Sequence, residues 1–271
     1  MIRFNGTQYE IDGSRSFNET TRVFTSNPQP GANAFEQQVF GYLNTINSNG
    51  EVGRTILSAV HPNRKISIFP GNALFNRVTS LDAFGAGQHV EGQTAPGTGH
   101  GADGVIIFSL DRIATIIGPA AQKEAILLHE IVHAIRASWG AESEDRVPGY
   151  DDIEEFYSIT LSNMYVSSAY PGSSFRGDHS SLRLHLGRLS GDPNGFISNP
   201  GLAERDLRRF VMGHRTELLR FFLEVGSLGS ALSRATCKFN PFRVCVNGWN
   251  PDVEERDRPQ QQRQPAFGPL R

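Results

Sequence analysis

The spacing of apolar residues in the first half of the chain predicts one helix followed by two strands. From residue 32 onward, apolar side chains recur every three or four residues, as on one face of an amphipathic helix: Phe35, Val39, Phe40, Leu43 and Ile46. The segment KISIFP (65–70) alternates like a short strand. After a glycine-rich stretch, VIIFSL (105–110) is a β-branched run too short for a helix, so we expect a second strand there.

The second half of the chain is predicted to be mostly helical. A long helix is expected over residues 119–140, because proline fits the first helical turn and glycine commonly ends a helix. A second helix is expected over residues 153–170, with Asp151 or Asp152 as its N-cap. A third, amphipathic helix is expected over residues 200–226.

The two ends of the chain are poorer in apolar residues than its middle. Residues 1–31 are rich in Asn, Thr, Ser and Gly, and we expect them to form a loosely ordered N-terminal arm. Residues 251–271 contain too few apolar groups to fold and are predicted to be a disordered tail. A single domain is therefore expected over residues 32–250.

The amino-acid composition of the chain argues against several classes of function. With 26 Lys and Arg against 28 Asp and Glu the formal net charge is −2, so we expect no nucleic-acid partner and no anionic membrane surface as a partner. The chain has no run of about 18 apolar residues, and its first residues lack the order of a secretory signal. Two cysteines, Cys237 and Cys245, are too few for a disulfide scaffold or a cysteine-rich zinc finger. These two cysteines can form one disulfide or remain as two thiols.

The segment HEIVH (129–133) matches the HExxH pattern of zinc hydrolases and lies well inside the predicted long helix. Residues four apart share a helix face, so His129 and His133 can reach one metal ion. Glu130, between them, is placed to take a proton from the attacking water. We therefore expect zinc as the cofactor, with His129 and His133 as ligands and Glu130 as the catalytic base.

A catalytic zinc site needs a third protein ligand. The metzincin pattern would require Gly at position 136 and His at 139, where this chain has Arg136 and Trp139. Glu154 and Glu155 are better candidates, because they begin a helix that can return past the first one. Only one of the pair should face the metal, while the other can orient a ligand or pair with a cation. Both could instead be solvated glutamates at a helix start. Other candidates are Asp151, Asp152, His179, His185 and His214.

The order of a glycine-rich stretch, an apolar strand, LLHEIVHAIRASWG and IEEFYSITLSNMY resembles the NleD-type zinc metallopeptidase effectors of bacteria, over about residues 100–180. More distantly, it is similar to clostridial neurotoxin light chains. In those families the second Glu of a Glu-Glu pair is the zinc ligand, which here implies Glu155, and Ser158 stands at a position that is usually small. The light chains also place an Arg and a Tyr over the metal, and Arg176 with Tyr165 or Tyr170 are candidate counterparts.

These residues together predict an α+β, zincin-like metalloprotease domain with a small sheet, the HExxH helix and a mostly helical C-terminal half. The expected function is that of a zinc-dependent endopeptidase. The resemblance implies an effector secreted without a cleaved signal peptide, which acts in the host cytosol on a host protein, for instance a mitogen-activated protein kinase. An antibacterial toxin protease and a zinc-stabilised, non-catalytic binding protein are the alternatives.

Two further features lie near the predicted strand at 105–110. The glycines of GHGADG (99–104) match a dinucleotide-binding fingerprint, but they precede a strand instead of following one, so that interpretation fails. His100 and Asp103 in this loop remain candidates for a metal or substrate contact. We expect residues 105–110 to be the edge strand beside which an extended substrate binds.

Overall fold

The computed structural model describes residues 1–4, 9–18, 23–26, 31–71, 77–80, 101–110, 123–170, 173, 175 and 204–247. They form a mixed α/β architecture, consistent with the α+β class, in which a small sheet is followed by a helical C-terminal half. The main sheet has the strand order β1-β2-β5-β7-β6, with β1 at Ile2–Phe4, β2 at Tyr9–Ile11, β5 at Ile66–Pro70, β6 at Arg77–Ser80 and β7 at Gly104–Phe108.

The N-terminal residues belong to this sheet. Strand β1 pairs antiparallel with β2, and β2 pairs parallel with β5. Phe4, Tyr9 and Ile11 are buried in the core, and the Tyr9 hydroxyl donates a hydrogen bond to the carbonyl oxygen of Leu57 at 3.0 Å. The prediction of a loosely ordered arm is therefore wrong for these residues, because three apolar side chains suffice to hold two three-residue strands against the body.

The strand predicted over residues 105–110 forms as β7 but is not at an edge. It pairs parallel with β5 on one side and antiparallel with β6 on the other, with Ile107 opposite Arg77. All five residues of β7 are buried, as expected for a strand that is covered on both faces. The prediction that residues 105–110 form the edge is thus wrong, and β6 is the outer strand of this side in the described part of the sheet.

Different elements cover the two faces of the sheet. Helix α1 (Gly31–Ser48) packs on β1 and β2, and helix α3 (Lys123–Ser138) packs on β6 and β7; helix α2 (Glu51–Leu57) lies between them and the C-terminal half. On the other face, the hairpin of β3 (Arg15–Asn18) and β4 (Val23–Ser26) places Phe24 against Phe69, and Val105 and Ile107 complete this smaller core.

Helices α3 and α4 (Ile153–Ala169) form an adjacent pair, as the sequence predicts. Gly140 takes the left-handed φ of 64° at the end of α3, and the amide of Ala141 there donates to the carbonyl oxygen of Arg136. The carboxylate of Asp152 caps α4 by accepting a hydrogen bond from the backbone amide of Glu155 at 2.9 Å. Residues 119–122, which the sequence predicts as the first turn of this helix, lie outside the described residues.

The remaining helices are shorter than predicted. The sequence predicts a single helix over residues 200–226, but the structure has two helices there and the start of a third: α5 (Glu204–Gly213), α6 (Arg215–Glu224) and α7 (Gly226–Arg234). The prediction was wrong because the breaks at Gly213–His214 and at Val225 do not interrupt the apolar pattern. A short helix α8 (Pro241–Val246) follows, capped by Asn240.

Cys237 and Cys245 are both buried free thiols and do not form a disulfide with each other. Burial raises the pKa of Cys237 to about 11, although the hydroxyl of Ser167 lowers it in part. Within the described residues, none of the helices is both long and apolar enough to cross a membrane.

Candidate metal centre

Three potential metal ligands meet between α3 and α4: His129, His133 and Glu155. The Nε2 atoms of the two imidazoles are 3.2 Å apart. One carboxylate oxygen of Glu155 is 3.2 Å from Nε2 of His129, and the other is 3.4 Å from Nε2 of His133. The side chain of His129 is 3% exposed, whereas those of His133 and Glu155 are 13% and 14% exposed, so the cluster is largely buried but not sealed from solvent.

The donor set and its spacing fit zinc. Two imidazole nitrogens and one carboxylate oxygen are a common set of protein ligands in catalytic zinc sites, which leave a fourth position open. Ligands at about 2.0–2.1 Å from a tetrahedral ion lie about 3.3–3.4 Å from one another. The two imidazole nitrogens are 3.2 Å apart, close to this spacing, and each nitrogen lies 3.2 to 3.4 Å from one of the two carboxylate oxygens of Glu155.

The charges of the cluster compensate one another. Burial raises the pKa of the Glu155 carboxyl, but the hydrogen bonds and charges of His129 and His133 outweigh it and hold that pKa well below its usual range. Burial lowers the pKa of His133, yet the hydrogen bond and charge of Glu155, helped by the charges of Glu130 and Glu154, raise it to about 9. A carboxylate thus faces an imidazolium at neutral pH.

Zinc binding should therefore release a proton. With its pKa near 9, His133 carries a proton at pH 7 in the metal-free protein, whereas zinc binds only the neutral imidazole. We expect about one proton to be released from His133 for each zinc bound at pH 7, and the apparent affinity to rise as the pH increases toward 9. Calorimetric titration in two buffers of different ionisation enthalpy measures the release. Equal apparent enthalpies in both buffers would contradict it.

Glu130 lies on the flank of α3 that faces the sheet. It precedes Ala134 by one helical turn and so lies on the same face of α3. Ala134 packs closely on Gly104 of β7, since a Cβ atom built on Gly104 would lie 3.0 Å from the Cβ of Ala134. The two elements run antiparallel, because the amide of Ala102 donates to the carbonyl oxygen of Ala137 farther along α3. The side chain of Glu130 is half-buried.

Glu154 points away from the metal ligands and binds a buried arginine. Arg136 donates from Nε to one oxygen of Glu154 at 2.7 Å and from Nη2 to the other at 2.8 Å. The backbone amide of Ser143 donates to the same carboxylate at 2.9 Å. Of the two adjacent glutamates, therefore, Glu155 faces the histidines and Glu154 pairs with a cation.

The tyrosines that the resemblance suggested for the metal site lie elsewhere. The hydroxyls of Tyr165 and Tyr170 donate to the carboxylate of Glu124, at 3.4 Å and 2.6 Å. Tyr165 follows Glu155 by ten residues, which is about 15 Å along a helix. Neither tyrosine is brought together with the histidines, and both tie the end of α4 to the start of α3.

The other sequence candidates have structural roles or lie outside the described residues. Asp103 accepts a hydrogen bond from the backbone amide of Lys65 at 3.0 Å and so holds the loop before β7. The imidazole of His214 is buried among aromatic rings, 4.8 Å from the ring of Phe156, and burial lowers its pKa. Not described are His100, Arg176, His179 and His185.

Sequence reasoning missed the role of Arg136. The residue was considered only as the one that breaks the metzincin pattern, yet it is fully buried between α3, α4 and α6. A signal was present, since Arg136 follows His133 by three residues on a helix that is otherwise apolar toward the core. A charge at such a position implies a buried partner of opposite sign.

Comparison with known proteins gives no relative for this chain. No protein family matches it, and neither a curated protein sequence nor a solved structure is significantly similar to it.

Proposed function

We propose that the protein is a zinc-dependent endopeptidase of zincin-like fold. The observation that carries the proposal is that His129, His133 and Glu155 converge, with all ligand atoms within 4.8 Å of one another, while Glu130 stands between the two histidines in sequence. A purely structural zinc site has four protein ligands and no use for a glutamate beside them. Three ligands with an adjacent carboxylate fit a hydrolytic site.

The chain's own residues supply the proton transfers of this reaction. When bound, zinc would act as a Lewis acid that polarises the scissile carbonyl and lowers the pKa of a water molecule. Glu130 takes a proton from the attacking water and delivers it to the amide nitrogen as the peptide bond breaks. Its position on the sheet side of α3 suits this task, because we place the extended substrate on that side, along strand β6.

Strand β6 is the element on which we place the substrate. It lies on the far side of β7 from β5 and packs against α3, the helix that carries Glu130. An extended peptide can add to such a strand through backbone hydrogen bonds. The proposal therefore includes recognition of an unfolded segment of a protein, not of a small molecule.

The biological setting in this proposal follows from the family resemblance alone. It comprises export without a cleaved signal peptide and action in the host cytosol on a signalling protein, such as a mitogen-activated protein kinase. An antibacterial protease would use the same centre. The substrate protein found by the experiment below separates the two settings.

The test is cleavage of a proteome-derived peptide library by zinc-loaded protein. We expect new peptide termini to appear, to disappear after chelation, and to return when zinc is restored, because the chemistry depends on the metal ion. The control is chelated protein supplied with magnesium, an ion that suits carboxylate and water ligands better than imidazole. Stoichiometric zinc without any cleavage would favour the non-catalytic binding protein instead.

A further inference from the structure

We propose that Arg136 is a positioning residue for the metal site, which fixes the zinc ligand Glu155 by clamping its neighbour Glu154. This inference rests on the proposed zinc site but not on peptidase activity. It assigns to a buried arginine on the HExxH helix the task of holding the first turn of α4 in the one orientation that aims Glu155 at the two histidines.

The contact between Arg136 and Glu154 is geometrically restrictive. Two nitrogens of the guanidinium bind two oxygens of the carboxylate, at 2.7 Å and 2.8 Å. A two-point contact of this kind fixes both the distance and the rotation of the carboxylate. Because Glu155 is the next residue in the same helical turn, an orientation imposed on Glu154 is passed to it through the rigid backbone.

Arg136 is itself held from several directions. Its Nη1 donates to Glu224 of α6 at 2.9 Å, and its Nη2 donates to the backbone oxygen of Ala141 just beyond α3. The guanidinium carbon lies 4.3 Å from the centre of the Tyr157 ring on α4. The side chain is fully buried, so it has little freedom to follow Glu154 if α4 shifts.

Arg136 belongs to a network of ion pairs in which each buried charge has a counterion. The chain of contacts runs from Glu154 through Arg136 to Glu224, then through Arg220 to Asp145 at the surface. Removing one partner of a buried pair leaves an uncompensated charge, which is strongly destabilising. A substitution that tests positioning must therefore retain the positive charge and remove only the two-point geometry.

The test is Arg136→Lys. Lysine retains the charge but cannot bind a carboxylate through a planar fork. We expect a folded protein whose zinc affinity is weakened about 10- to 100-fold, the range typical for residues that orient a metal ligand. The visible absorption of the cobalt-substituted variant should also change, because it reports the ligand geometry. The matched control is Arg243→Lys, since Arg243 lies on α8 and binds the carbonyl oxygen of Cys237; its zinc affinity should be that of the wild type.

A double-mutant cycle separates positioning from a general loss of stability. In the Glu155→Ala background, Arg136→Lys should change zinc affinity less than about twofold, because the ligand that it positions is gone. Equal weakening in both backgrounds, or an unchanged affinity for folded Arg136→Lys protein, would overturn the proposal. If Arg136→Lys does not fold, Glu154→Asp replaces it, because the shorter side chain retains the charge of the pair and moves the carboxylate out of the two-point contact; the same weakening is expected. Failure of the wild type to bind zinc would instead contradict the proposed function.

Discussion

Replacement of Glu130 by glutamine is expected to leave the zinc content unchanged and to reduce kcat/KM by about 100- to 10,000-fold, the usual contribution of a general acid–base residue. Glutamine has the shape of glutamate but cannot accept the proton of the attacking water. Since Glu130 lies on the sheet side of α3 and is not among the three clustered ligands, the metal should remain bound. Elemental analysis and library cleavage on the same preparation measure both quantities.

The control for this variant is Glu142→Gln, which makes the same chemical change in the loop beyond α3. Its cleavage rate and zinc content should match those of the wild type. Undiminished cleavage by zinc-loaded Glu130→Gln protein would refute the assigned mechanism, and loss of zinc from that variant would show that Glu130 is a ligand.

Replacement of Glu155 by alanine is expected to weaken zinc binding by more than about 100-fold, beyond the range that residues orienting a ligand usually reach. The change removes the one anionic ligand of the centre and leaves two neutral imidazoles to hold a dication. Zinc content after dialysis against a weak chelator measures the effect.

Two neighbouring carboxylates serve as comparisons for Glu155→Ala. Glu154→Ala should weaken zinc binding about 10- to 100-fold, because Glu154 is not a ligand and orients the helix turn that carries Glu155. Asp151→Ala, at an exposed position before the helix, should have no effect. If instead Asp151, Asp152 or His179 supplied the third ligand, its alanine variant would lose zinc while Glu155→Ala retained it.

The candidate site was largely predictable because its residues follow helical periodicity. His129 and His133 are four residues apart, so a helix alone places them on one face. A second helix that returns beside the first is enough to bring the glutamate pair near them. The choice of Glu155 over Glu154 as the ligand rests on a resemblance and stays a prediction, while the structure places the carboxylate of Glu155 beside the histidines and that of Glu154 on Arg136. What sequence could not supply was the partner of Arg136, since Glu224 lies 88 residues away on another helix.

The sheet was less predictable, for a physical reason. Strands β1 and β2 have only three residues each, so they carry too little alternation to be distinguished from a polar arm. The place of β7 within the sheet depends on β6, whose four residues follow no apolar pattern in the sequence. Strand order is decided by partners far apart along the chain, and no local pattern encodes it.

The arrangement of α3 and α4 as consecutive neighbours has a consequence for the order of folding. All the proposed ligands and Glu130 lie within residues 129–155, whereas the sheet pairs residue 9 with residue 66 and residue 66 with residue 104. Closing a short loop costs less chain entropy than closing a long one, and contacts of low sequence separation form early. We therefore expect the two helices to meet before the sheet is complete, so that the proposed ligands come together in a nascent chain ahead of its final tertiary structure.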